Sequence, residues 1–202
     1  MPAEPPRAPQ QQRSREKVAR ILAAASGLLE TTPYDELGTK LIAAEAGVSV
    51  GVLYRYFADK EAIVSELVRR WFELDVRVAE QHTEGPLPGS SRELFDRLVE
   101  AYAVRFRAEP GYRQIWYQGP RIAALNEDAA ATDRLIAEKV HAALVRGYGL
   151  PDTELTRRRA RLAVSVGTHL LDLAFRDRPD GDPDILADAA LIMDRYLLAP
   201  PD

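Results

Sequence analysis

Apolar residues return every three or four positions along almost the whole of this chain. That period stacks side chains on one side of an α-helix, whereas a half-buried strand needs strict alternation, which is nowhere sustained. Val18, Ile21, Leu22, Ala25, Leu28 and Leu29 mark the inner face of a helix from about Arg15 to Thr31, with Ser14 as its N-cap. Two short helices follow, one over Lys40 to Ala46 and one opening after Ser49. Asp59 caps a long helix reaching about His82, with Ile63, Leu67, Trp71, Leu74 and Val78 as its stripe. At about 1.5 Å per residue it spans over ~30 Å, enough to belong to two layers. After a loop at 85–90, Leu94, Leu98, Tyr102 and Phe106 align in a helix from Arg92 to about Ala108. Pro110 opens a short helix through Tyr117. Three more cover about Asn126 to Arg146, stopping at Gly147; about Thr153 to Phe175; and Pro183, capped by Asp182, to near Leu198. The pattern predicts an all-α fold of about nine helices, without strands or internal repeats.

The two short helices constrain each other. Gly47 stands where a helix end takes a left-handed conformation, which glycine adopts cheaply. Val48 plugs the corner, and Ser49 caps the next helix through its hydroxyl. Ala43 is small enough for the backbones to approach, while Leu53 and Phe57 face inward one turn apart. This is the spacing of a helix-turn-helix, whose second helix enters the DNA major groove. On that geometry Lys40 is the best candidate for a guanine contact, and Arg55 the second, with phosphate as its rival partner. Val50 and Val52 can only pack on thymine methyls, and Gly51 allows close backbone approach. Lys60, at the next helix start, would add its charge to a phosphate-binding helix N-terminus. Arg15, Lys17 and Arg20 lie near the start of the first helix, either on phosphate or on a solvated face.

The longer run AAEAGVSVGVLYRYFADKEAI resembles the DNA-binding signature of the TetR (tetracycline repressor) family of bacterial regulators. Ala-Gly-Val-Ser, the Leu53-Tyr54-x-Tyr56-Phe57 run and Lys60-Glu61-Ala62 carry the match, over roughly Arg13 to Leu67. The chain departs from the family pattern at Val52, Gly38 and Leu41. The resemblance implies a three-helix DNA-binding head over residues 13–60 and a ligand-binding, dimerising body over 61–202. Residues 1–12, rich in Pro and Gln, read as a disordered tail. The resemblance further implies that Thr39, Tyr54 and Tyr56 give hydroxyls to the sugar-phosphate backbone. The alternative for the tyrosines is that they pack the head. Tyr34 is expected to pack beneath it. Implied partners are a palindromic double-stranded DNA operator, a small-molecule effector and a second copy of the chain, in the cytoplasm. Rival readings are a helical small-molecule carrier or enzyme that keeps the head for packing, and a co-regulator acting through protein partners.

In the body, Leu98, Tyr102, Phe106, Ile115, Trp116 and Leu144 are expected to line an apolar cavity, with Gln118 and His141 as its polar points. Taken one at a time, each aromatic reads more readily as ordinary core; the cavity reading rests on the group. From Ala160 to Phe175 the chain is apolar nearly all round, which requires partners on two sides. Leu162, Val166, Gly167 and Leu170, together with Ile185, Ala189, Ala190, Met193 and Leu197, are therefore expected to build a twofold four-helix interface. Ser165, Thr168, His169, Asp172 and Arg176 form the polar stripe, assigned to solvent or interface rim.

Composition narrows the chemistry. The 202 residues include no cysteine, which removes disulfides and thiolate chemistry. No apolar run is long enough for a membrane span, and the N-terminus lacks an apolar secretory segment. Net charge is −4, so DNA contact has to come from a local basic face rather than bulk attraction. His82, His141 and His169 lack metal-ligand spacing, and no catalytic motif is present. No cofactor and no catalytic residue are expected.

Overall fold

The computed structural model describes residues 8–109, 111, 115 and 123–199. Among the described residues it holds eight helices: α1 (Ala8–Leu28), α2 (Thr39–Glu45), α3 (Val50–Tyr56), α4 (Lys60–Thr83), α5 (Ser91–Ala108), α6 (Ala123–Tyr148), α7 (Glu154–Arg176) and α8 (Pro183–Leu198). No strand occurs among them. Most of the short helix expected over 110–117 lies outside the described residues.

Most ends follow the sequence signals. The side chains of Ser49, Asp59, Ser90, Thr153 and Asp182 each accept from a backbone N–H of the turn they open. Two ends differ. α1 begins at Ala8 rather than Arg15. Pro9 is tolerated in a first turn, and the Gln, Arg, Glu and Lys that follow are good helix formers. α6 runs through Gly147 and stops at Tyr148, with Gly149 in the left-handed region at φ 72°.

Two hydrophobic cores share α4. In the head, Ile21, Leu22, Ala25 and Leu29 of the first helical segment meet Ile42, Ala43 and Ala46, then Leu53 and Phe57, all against the first half of α4. In the body, Phe95 and Leu98 of α5, Val140 and Leu144 of α6, Val164 and Phe175 of α7 and Met193 and Leu197 of α8 form the second core. Each such side chain contributes about 1.5–3 kcal/mol when fully buried. α4 does not bury the single stripe that periodicity suggests. Val64, Val68 and Phe72 are buried beside Ile63, Leu67 and Trp71, while Leu74 and Val78 are only half-buried. The cause is that α4 packs on α1 at one end and between α5 and α6 at the other.

Candidate functional site

The corner between α2 and α3 is built from hydrogen bonds that the sequence anticipates. Gly47 has φ 60°. The Gly47 and Val48 amides donate to the Ala44 and Ala43 carbonyls at 3.1 and 3.0 Å, so the chain reverses without leaving buried groups unpaired. The Val52 amide donates to Ser49 Oγ at 3.2 Å. Arg20 joins this corner from outside the motif. Its guanidinium reaches from α1 and donates to the Ala46 and Gly47 carbonyls, the latter at 2.9 Å. A cation is thus fixed at the negative end of α2, on a side chain that still faces solvent.

The outer edge of this corner carries the polar groups. Lys40, Gly51, Tyr54 and Arg55 are exposed. Thr39 Oγ1 and the Tyr54 hydroxyl lie 3.1 Å apart, so two of the expected backbone-contacting groups form one pre-positioned pair across α2 and α3. Val50 and Tyr56 are half-buried and pack against the head core. Val52 is half-buried as well.

Lys60 has an additional occupation. Its ammonium donates to the Tyr34 and Asp35 carbonyls at 3.0 and 3.4 Å and sits 4.4 Å from the centre of the Tyr34 ring. Tyr34 is buried under the head, as expected, and its hydroxyl donates to Glu61 at 3.2 Å. Burial first, then the Glu61 charge, pushes its pKa up to about 12, so it stays a neutral donor. Lys60 therefore braces the α1–α2 loop onto α4, whatever else it meets.

Between α4, α5, α6, α7 and α8 lies a cavity of about 320 Å³. Leu98, Tyr102 and Phe106 line it as expected. Three other expected lining residues do not. Leu144 is wholly buried in the body core, and Ile115 packs with the head core. His141 accepts from or donates to Thr156 Oγ1 at 3.1 Å, and so is spent at the first turn of α7. It borders a separate hollow walled by Asp152, Arg157 and Arg161, charged residues that face solvent. Trp116 and Gln118 lie outside the described residues.

The cavity's polar groups come from positions that periodicity does not single out. Asp75, Thr132, Asp133, Thr168 and Asp172 all line it. Thr168 and Asp172 are therefore corrected from solvent or rim to cavity wall, and Asp172 is buried; Ser165, His169 and Arg176 of the same stripe are exposed. The reason is that α6 packs along this side of α7 and covers two members of the stripe. Asp75 Oδ1 accepts from Arg105 Nε at 2.7 Å, and Arg105 also donates to the Trp71 carbonyl at 3.2 Å. Burial outweighs that cation and pushes Asp75 up to about 6. Burial likewise raises Asp133, opposed by the Thr168 and Ser165 hydroxyls. The detectable signal was an aspartate within an apolar α4 segment, together with an alanine-rich stretch broken by Thr132-Asp133.

The expected interface residues divide between two faces. Leu162 and Val166 are exposed. Ala189, Ala190, Met193 and Leu197 are buried within the protomer, and Gly167 is covered by the Met193 thioether. Leu170 and Ile185 are half-buried against the same core. The alanines of α8 permit close approach to this chain's own helices, so these residues are corrected from interface to core. What α7 leaves open is Leu155, Leu162, Val166 and Leu173, one line along the helix. Ile192 and Tyr196 of α8 are also exposed, and Arg159 of α7 lies 6.0 Å over the Tyr196 ring, so the two faces adjoin.

Residues 21–67 match the family profile described as "Bacterial regulatory proteins, tetR family", and residues 89–200 match "Tetracyclin repressor-like, C-terminal domain". A TetR-family transcriptional regulator from Streptomyces coelicolor is 28% identical, with a TM-score of 0.70 over 94% of this chain and 100% of its own. The fatty acid degradation regulator FadR from Bacillus halodurans is 21% identical, with a TM-score of 0.68 over 91% and 95%. PfmR, a TetR-family transcriptional regulator from Thermus thermophilus, is 22% identical, with a TM-score of 0.63 over 91% and 96%. The last two share the fold. No curated protein sequence matches. Among the described residues no helix is long and apolar enough to cross a membrane, and no group of three His, Cys, Asp or Glu side chains could hold a metal ion.

Proposed function

Since the chain belongs to the TetR family of bacterial regulatory proteins, we propose that it is a homodimeric repressor of transcription, released from a palindromic operator by a small molecule. The observation that carries this reading is the α2–α3 corner, pinned from behind by Arg20 and open in front at Lys40, Gly51, Tyr54 and Arg55. The exposed cations supply base-edge and phosphate contacts, and the Thr39–Tyr54 hydroxyl pair supplies a phosphate contact that fixes register. Pairing through the open face of α7 and α8 puts two such edges on one side of a duplex, in major grooves about 34 Å apart.

The release mechanism needs a ligand with unequal affinity for two arrangements of the heads. α4 is suited to report it. Ile63 and Val64 at its start are buried in the head core, and Phe72 and Asp75 further along line the cavity. A ligand that shifts Asp75 or Phe72 therefore acts on the helix that carries the head.

Selection of bound genomic fragments, followed by fluorescence anisotropy on the enriched duplex, tests the reading. A saturable affinity well above that for random duplex, falling steeply with salt, is the expected result. Binding indistinguishable between enriched and random DNA would favour a helical carrier that keeps the head only for packing.

A further inference from the structure

The described lining of the body cavity holds three carboxylates, Asp75, Asp133 and Asp172, and no Lys, Arg or His. Their charges are not equally matched. Asp75 is met by Arg105 at 2.7 Å and Asp172 by Arg176 at 3.2 Å. Asp133 is met by the Thr168 hydroxyl at 3.2 Å and by Ser165, both neutral. The rest of the wall is mainly apolar, with the aromatic rings of Phe72, Tyr102 and Phe106. A carboxylate held in such a wall by hydroxyls alone loses hydration that they only partly replace.

From this charge balance we infer that the cavity takes an organic cation, a protonated amine or quaternary ammonium on an alkyl or aromatic body, seated with its charge at Asp133. The inference rests on the reading that the cavity admits an effector, and adds its chemical class. A cation restores the electrostatic partner that Asp133 lacks among the described residues. Its body takes the apolar wall, and aromatic rings are favourable neighbours for a positive charge. A fatty carboxylate would bring a further negative charge into the same space. A bare metal ion does not suit, because no three acidic side chains among the described residues converge to hold one. The volume, about 320 Å³, lies at the small end of ligand sites, which run from roughly 300 to 1,000 Å³.

Three probes of equal chain length separate the possibilities on the unaltered protein: decyltrimethylammonium, decanol and decanoate, titrated by calorimetry below their aggregation limits at neutral pH. The ammonium is expected to bind at least about tenfold more tightly than either of the others. Asp133→Asn should erase most of that preference while leaving decanol unchanged, with the fold checked by circular dichroism. Decanoate binding as tightly as the ammonium, no binding of the ammonium, or an unchanged preference in Asp133→Asn would each overturn the inference. Adding the ammonium to the protein–DNA complex keeps the two readings apart. Cation binding that leaves DNA bound sinks ligand release but not the cation site, and release by decanoate alone does the reverse.

Discussion

Gly51 separates the demands of folding from those of the proposed DNA contact. It sits on the exposed side of α3, and a Cβ added there would meet nothing within 4 Å. Gly51→Ala should stabilise the protein by about 0.5–1 kcal/mol in chemical denaturation, because glycine costs that much in a helix. The same methyl should weaken binding to the enriched duplex if the backbone approaches a base edge there; unchanged affinity would place Gly51 away from the groove. Asp133 poses the reverse trade. Burial raises its pKa above that of the unfolded chain, so its ionised form is penalised in the folded state. That penalty is present above the folded pKa and vanishes below the unfolded value, near 3.9. Asp133→Asn should therefore raise the melting temperature at pH 7 and lose that advantage as the pH falls towards 4. A stabilisation independent of pH would show that ionisation is not the cause. Single residues were legible where local backbone geometry dictates their type, as at Gly47 and Ser49. They were not where a side chain crosses between elements. Nothing near Arg20 in sequence announces the Ala46 and Gly47 carbonyls, and nothing near Lys60 announces Tyr34.

Helices were legible because caps and period are local. The face each helix buries was not always so, because that depends on what packs against it. α8 shows the difference. Its spacing identified a helix with small residues on one side, but not that this side meets Gly167 of its own chain. α7 shows it again, since α6 covers Thr168 and Asp172 and leaves the leucine line open. The corrected faces make opposite predictions for two charge insertions. Leu162→Glu, on the open line of α7, should change monomer stability by no more than about 0.5 kcal/mol and shift the sedimenting species from dimer to monomer. Ala190→Glu places a charge in the body core and should cost several kcal/mol, about 3–5 or more, seen as loss of cooperative unfolding. A folded dimer of Leu162→Glu would move the interface elsewhere.

At the scale of the molecule, two cores joined by α4 put the exposed α2–α3 corner at one end and an acidic, aromatic-walled cavity in the other. The head was legible because its chemistry is confined to one short run. The cavity was half legible: Leu98, Tyr102 and Phe106 share a helix and a period, whereas Asp75, Asp133 and Asp172 come from three helices and meet only after folding. Everything proposed for function requires two corners to act on one duplex. A hydroxyl-radical footprint on an enriched genomic fragment examines that requirement. Two protected patches on one face of the DNA, about 10 base pairs apart and related by a dyad, are the predicted result. One unpaired patch, or an identical pattern on random duplex, would contradict it.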